Sequence, residues 1–166
     1  SYMPGRMAGN TTAWIEERVI ESKIKYNTRV VMIDHLHYIV DMERLRNPSL
    51  EIGAVLRTLK KMAITHNVII FLVAHTGKVA DNEKPTGSSI RDSSFVLQEP
   101  DTVLIIYRVK DNEKKGVEHQ ARLIVEVSRR VGTLKKTVKL IKVNGLLREL
   151  TLPEAKSEDI SIGAVD

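Results

Sequence analysis

Several residue types are scarce in this sequence, and each scarcity excludes a class of protein. The 166 residues include no cysteine, which excludes disulfides and cysteine-ligated zinc and fits a reducing cytoplasm. Aromatic residues make up 4% of the chain, too few to predict a surface on which nucleic-acid bases stack. The longest apolar run, Val68 to Ala74, is far shorter than the ~20 residues that cross a bilayer. The first residues lack a signal-peptide pattern. We therefore expect a soluble cytoplasmic protein with no membrane partner.

One missing motif bears directly on chemistry. The loop G-x-x-x-x-G-K-[ST] occurs nowhere in the sequence, and in P-loop enzymes the amides and lysine of that loop cradle the phosphates. If the chain belongs to such a fold, it supplies only the back half of the ATPase. We expect this chain to be inactive by itself.

Charge and length set wider limits. The chain carries 26 Lys and Arg against 21 Asp and Glu, a net charge of +5. Such an excess suits a nucleic-acid partner, although a solvated surface explains it equally well. At this length and 42% hydrophobic content the chain can bury one core. We expect one folded region over residues 11–150, after a loop that enters the fold at residues 1–10 and before a frayed acidic tail at residues 151–166.

Hydrophobic periodicity predicts an α/β fold, with a mostly parallel sheet flanked by helices and a C-terminal antiparallel hairpin. The first helix should begin at Thr11 or Thr12 and bury Ile15, Val19, Ile20 and Ile24. The other predicted elements are a strand that ends before Asp34, a helix from Pro48 to about Asn67, a strand at 68–74 covered on both faces, a helical turn at 95–97, and strands at 102–107, 121–127, 137–143 and 146–150, the last two joined by Asn144-Gly145.

Polar residues follow two of the buried strands directly. Asp34 closes the apolar run Val30 to Ile33, and His75 closes the run Val68 to Ala74. Because the carboxyl ends of parallel strands meet at one sheet edge, the two side chains are expected side by side. A carboxylate there can hold the water shell of Mg²⁺, and a histidine can hydrogen-bond a terminal phosphate.

Simpler interpretations of these residues stay open. Asp34 alone could be a capping residue, and His75 a surface histidine. A third interpretation is a metal site formed by His35, His37 and His75 with Asp34, since residues i and i+2 of a strand share a face.

Two other segments carry groups that bind phosphate. Arg91, Asp92, Ser93 and Ser94 follow a long polar loop and precede a helical turn, which suits contact with a nucleic-acid backbone, although a loop capped by its own hydroxyls explains them as well. Arg129 and Arg130 follow a strand and begin a basic stretch. A loop arginine can reach phosphates across a subunit interface, but such a stretch is more often a solvated surface.

Four blocks in this order resemble the motor domain of DnaB-like hexameric replicative helicases, including the Twinkle-type branch, from about Thr12 to Glu149. The blocks are V-V-M-I-D-H-L-H-Y-I, V-I-I-F-L-V-A-H-T, S-I-R-D-S-S-F-V-L-Q-E-P-D-T-V-L-I-I-Y-R and L-I-V-E-V-S-R-R-V-G-T-L-K-K-T-V-K-L. The resemblance implies a partial RecA-like P-loop NTPase core that begins near the strand of Asp34.

The resemblance also implies roles for single residues. Asp34 is then the Walker B aspartate that binds Mg²⁺ with ATP, and His75 stands where the family has a phosphate-sensing Gln or His. The segment from Arg91 to Ser94 falls in the channel loop that holds single-stranded DNA. Arg130 matches the arginine finger of a neighbouring subunit's ATP site. The family's K-N-R-type triplet appears here as Ser128-Arg129-Arg130, so its lysine is missing unless Arg129 replaces it.

By this resemblance the complete protein unwinds duplex DNA at a replication fork as a hexameric ring, using ATP and Mg²⁺, in a bacterial nucleoid, phage or organellar setting. One alternative is a RecA- or KaiC-like ATPase, against which the block from Ile90 to Tyr107 argues. Another is a non-enzymatic DNA-binding or oligomerisation module that keeps the fold without the phosphate loop.

Overall fold

Helices and strands alternate along the first part of the chain. The structure, a computed structural model, describes residues 11–40, 47–77, 85–86, 89, 95–109, 120–132 and 136–150. Within these ranges the elements are α1 (Thr11–Tyr26), β1 (Val30–Ile33), α2 (Leu36–Ile39), α3 (Pro48–Thr65), β2 (Ile69–Leu72), α4 (Phe95–Gln98), β3 (Thr102–Arg108), β4 (Gln120–Ser128), β5 (Lys136–Val143) and β6 (Leu146–Glu149). The predicted elements are confirmed, and α2 is an addition. The predicted loop at 1–10 and tail at 151–166 lie outside the described residues.

The chain divides into two compact units. The first comprises Ser1–Lys78 with Gly87–Pro100, and the second comprises Val79–Thr86 with Asp101–Asp166. In the described ranges all helices, together with β1 and β2, belong to the first unit, and β3 to β6 belong to the second. No helix in these ranges combines the length and the apolarity needed to span a bilayer.

Helix α1 buries a narrower stripe than its sequence suggests. Ile15, Val19 and Ser22 are buried, at the i, i+4, i+7 spacing of one helical face. The Ser22 hydroxyl donates to the Val19 carbonyl at 3.0 Å, which satisfies this buried polar group. Ile20 and Ile24 are 41% and 80% exposed, so their predicted burial is wrong. Each successive residue turns about 100° around the helix, and Ile20 therefore points away from the face of Val19.

The exposed side of α1 carries ion pairs. Lys25 Nζ lies 2.6 Å from Glu21 Oε1, and this hydrogen bond lowers the pKa of Glu21 below its ordinary value, with the charge of Arg18 acting in the same direction. Because the pairs face solvent, they add little to stability.

Helix α3 begins and ends with standard caps. The Asn47 side chain accepts a hydrogen bond from the Leu50 amide at 3.4 Å, and Pro48 occupies the first turn, where its missing amide costs no helical bond. At the other end Asn67 has φ of 48°, a left-handed conformation that asparagine tolerates and that stops a helix. The predicted stop at Asn67 is confirmed.

Polar groups tie α1 to the C-terminal end of α3. Glu16 Oε1 lies 2.8 Å from His66 Nε2, and the Lys23 ammonium donates to the His66 carbonyl. A cation beside the last carbonyls of a helix is favourable because those carbonyls carry the negative end of the helix dipole.

The parallel pair of β1 and β2 is covered on one face only. Val30 pairs with Ile69 and Met32 with Phe71. The residues between them pack against the core, namely Val31, Ile33, Ile70 and Leu72. On the other face Met32 is 72% exposed and Phe71 49%. The parallel pairing is as predicted, whereas the prediction that the strand at 68–74 is covered on both faces is wrong for this chain.

The second unit contains a four-stranded antiparallel sheet in the order β3-β4-β5-β6. Asn144 and Gly145 have φ of 49° and 82°, the positive values that a tight two-residue hairpin turn requires. The α/β class is confirmed, and the antiparallel part is larger than the predicted hairpin, since β3 and β4 also pair antiparallel.

Ile52 provides a test of the core that α3 forms. Its side chain is 1% exposed and packs in a cluster with Leu36, Leu56 and Val96. We predict that Ile52→Ala lowers the free energy of unfolding by about 2–5 kcal/mol, because it leaves a cavity. Leu50→Ala, at a residue 56% exposed on the same helix, should change it by less than about 0.5 kcal/mol. Urea denaturation followed by circular dichroism measures both, and equal effects would contradict the assigned core.

Candidate functional site

The carboxyl ends of β1 and β2 are joined directly by backbone hydrogen bonds. The Val73 amide donates to the Ile33 carbonyl at 3.0 Å, and the Leu36 amide donates to the Val73 carbonyl at 2.8 Å. Asp34 follows the first strand and His75 follows the second, each within two residues of these bonds. The structure therefore brings together the two segments in which the sequence predicts a site.

Aromatic rings pack against one another at this edge. The His35 ring lies 4.4 Å from the His75 ring in an edge-on arrangement and 4.5 Å from the Tyr38 ring, measured between centroids. His37 lies 5.5 Å from His35 and 6.1 Å from His75. We call His35, His37, Tyr38 and His75 the histidine cluster. It connects the segment of Asp34 to His75 through side chains as well as through the backbone.

The histidine cluster forms for a different reason from the one expected. The sequence argument placed His35 and His37 on one face of a strand, but β1 ends at Ile33 and α2 begins at Leu36. Leu36 is 2% exposed and anchors α2 in the core. Tyr38 was missed, although its i+3 spacing from His35 would bring the two rings together once a helical turn is assumed.

Asp34 is the exposed carboxylate at this edge. Its side chain is 75% exposed, and Oδ1 lies 3.8 Å from His35 Nδ1, too far for a hydrogen bond. An accessible carboxylate leaves room for the water shell that Mg²⁺ retains when it binds through one or two carboxylates and phosphate oxygens. Across the residues that the structure describes, no group of three His, Asp or Glu side chains could hold a metal. The alternative of a three-histidine metal site is therefore not formed.

The two predicted arginines lie in the second unit. Arg129 and Arg130 begin the turn after β4, and both are exposed. The Arg129 amide donates to the Asp101 carbonyl at 2.9 Å, which ties the start of this turn to the residue before β3. Gly132, two residues after Arg130, has φ of 60°, a conformation that favours glycine. The arginines thus belong to a defined turn of the second unit, whereas Asp34 and His75 belong to the first.

The four residues predicted to contact DNA, Arg91, Asp92, Ser93 and Ser94, lie outside the described residues. Helix α4, which follows them directly, is described and packs on α3 in the first unit.

Comparisons with known proteins place the chain among helicase ATPase domains. Replicative DNA helicase DnaB of Mycoplasma pneumoniae is 29% identical over 127 residues, which cover 69% of this chain and 27% of that protein. The DnaB of Rickettsia felis is 28% identical over 97 residues, covering 57% and 20%. The chain therefore spans about a quarter of the length of these relatives or less.

Solved structures show the same fold. A DnaB-like replicative helicase, solved to study its interactions with primase, superposes with a TM-score of 0.70 at 24% identity, over 87% of this chain and 37% of that one. A second solved structure, of an isolated ATPase domain, gives a TM-score of 0.72 at 24% identity, over 87% of this chain and 53% of that one. The architecture is thus that of a RecA-like helicase ATPase domain. More particularly, residues 7–145 match the DnaB-like helicase C terminal domain, and the chain belongs to this family.

The contact between His35 and His75 can be tested in solution. We predict that His35→Ala shifts the ring-proton resonances of His75, because it removes an aromatic partner at 4.4 Å. The resonances of His66, whose ring contacts Glu16, serve as the internal control and should stay unchanged. Two-dimensional NMR of the aromatic region measures both. Unshifted His75 resonances would show that the two rings do not pack together.

Proposed function

We propose that this chain supplies part of the ATP-driven motor of a replicative DNA helicase, which unwinds duplex DNA as a hexameric ring. Family membership supports the helicase class. The observation that carries the assignment of the site is the joined carboxyl edge of β1 and β2, where Asp34 and His75 follow neighbouring parallel strands. In open α/β sheets this edge is where ligands bind.

We propose that Asp34 and His75 contact the nucleotide from this edge. Asp34 would hold the water shell of Mg²⁺, and the exposure of its carboxylate supports that role. His75 would hydrogen-bond the terminal phosphate, while the ring of His35 restricts its orientation. When bound, Mg²⁺ bridges phosphate oxygens and neutralises their charge.

The uncovered sheet face supports the proposal that this chain is part of a larger motor. Val30, Met32, Ile69 and Phe71 expose an apolar surface on adjoining strands. Apolar surface of this kind is ordinarily buried when parallel strands lie inside an α/β domain. We propose that the rest of the motor covers this face and supplies the phosphate loop that the chain lacks.

The missing loop leads to a direct prediction. The purified chain should hydrolyse ATP at the background rate, with or without single-stranded DNA, because the residues that cradle the phosphates are absent from its sequence. A coupled phosphate-release assay measures the rate, with the Asp34→Ala chain as the matched control. DNA-stimulated hydrolysis that disappears in the control would overturn the prediction.

We propose that Arg130 acts on the ATP of a neighbouring subunit, and that Arg129 replaces the lysine missing from the family triplet. The turn after β4 supports this assignment, since both side chains project from it into solvent. A guanidinium brought to the transferred phosphoryl group from another chain stabilises charge in the transition state.

For Arg130 we predict a large loss of hydrolysis without loss of nucleotide binding. In the complete protein, Arg130→Ala should bind a fluorescent ATP analogue normally and hydrolyse ATP roughly a thousandfold more slowly. Arg129→Ala, in the same turn, is the control and should cost less. Mixing Arg130→Ala subunits with subunits disabled in the phosphate loop should restore part of the activity, because some interfaces then contain an intact site. If rings that demonstrably exchange subunits recover nothing, Arg130 does not act in trans.

We also propose that Arg91, Asp92, Ser93 and Ser94 contact the backbone of single-stranded DNA without reading its sequence. The net positive charge of the chain and the low aromatic content favour phosphate contacts over base stacking.

A further inference from the structure

Helix α4 is a single turn, and it depends on its neighbours. It spans Phe95–Gln98, four residues, and a helix this short has no stability of its own in water because nucleation is unfavourable. Its position is therefore set by whatever it packs against. In this fold that partner is α3.

Phe95 sits directly on Gly53. A Cβ added at Gly53 would lie 2.9 Å from Phe95 Cγ and 3.1 Å from each Cδ. Nonbonded carbon atoms approach favourably only to about 3.5–4.0 Å. Only glycine therefore leaves room for the ring at this distance, and the buried Gly53 forms a seat for the first residue of α4.

The next two turns of α3 hold the other end of the segment. The Arg57 guanidinium lies 5.6 Å from the centre of the Phe95 ring, and Nη1 is 3.1 Å from Glu99 Oε1. Lys60 Nζ donates to the Glu99 carbonyl at 3.1 Å. Val96 between these points is 7% exposed and packs with Ile52. Residues at both ends and in the middle of α4 are thus fixed to one face of α3.

We propose that Gly53 and Arg57 are positioning residues for the DNA-binding segment that ends at Ser94. Phe95 follows Ser94 covalently, so the seat on Gly53 determines where the segment from Arg91 to Ser94 joins the folded body. Arg57 clamps the same ring and Glu99. This inference rests on the proposed contact of that segment with single-stranded DNA.

A double-mutant cycle between residues 53 and 95 tests the seat. In the complete protein, the affinity for fluorescein-labelled oligothymidylate is measured by anisotropy in the wild type, Gly53→Ala, Phe95→Ala and the double variant. Gly53→Ala should weaken binding about tenfold when residue 95 is Phe, because the added methyl group displaces the ring. It should weaken binding less than about twofold when residue 95 is Ala, because the obstacle is gone.

Two controls separate positioning from damage to the fold. Alanine has a higher helix propensity than glycine, so Gly53→Ala does not weaken α3 itself. Affinity for a fluorescent ATP analogue should stay within about twofold of the wild type. Ala54→Ser, at an exposed neighbour on α3, should leave DNA binding unchanged. Unchanged DNA affinity in Gly53→Ala, or an equal loss with Phe or Ala at residue 95, would overturn the inference.

Arg91→Ala distinguishes failure of this inference from failure of the proposed function. It should weaken oligothymidylate and mixed-sequence oligonucleotides alike, because backbone contacts carry no sequence information. If Arg91→Ala leaves the affinity unchanged, the DNA-binding assignment fails and the inference fails with it. If Arg91→Ala weakens binding and Gly53→Ala does not, the assignment stands and the positioning role is wrong.

Discussion

The first unit depends on the burial of one face of α3. Ile52 and Leu56 on its first half pack with Leu36 of α2 and Val96 of α4, while Leu59 and Met62 on its second half pack with α1 and with the inner face of the parallel strands. Burial of side chains this size contributes roughly 1.5–3 kcal/mol each relative to exposure. Because α2 and α4 have four residues each, neither would hold its position without this surface.

The candidate site follows from that packing. Parallel pairing brings the carboxyl ends of β1 and β2 to one edge, and the bonds between Ile33, Leu36 and Val73 join the two exits. Leu36 is drawn into the core, which turns the chain into α2 directly after Asp34. Asp34 is left exposed, while His35 and Tyr38 meet the His75 ring. The chemistry of the edge is thus positioned by apolar residues beside it.

Two expectations failed for a common physical reason. The strand at 68–74 reads as covered on both faces, yet Ile69 and Phe71 are exposed. The stripe of α1 reads as including Ile24, yet that residue is 80% exposed. Apolar character shows that a residue can be buried, whereas burial also requires a neighbour to cover it. For the sheet, we propose that the neighbour is the rest of the motor.

The sequence by itself determined the local features of this protein. Asn47 and Pro48 begin α3, Asn67 ends it, and Asn144-Gly145 turns the final hairpin, because each acts through its own backbone or side chain. The order of apolar runs also predicted that Asp34 and His75 would follow adjacent strands. Only the tertiary structure decided that the rings of His35 and His75 pack together and that Gly53 seats Phe95. Those contacts join residues 40 or more positions apart, and local preferences carry no information about which distant side chain arrives there.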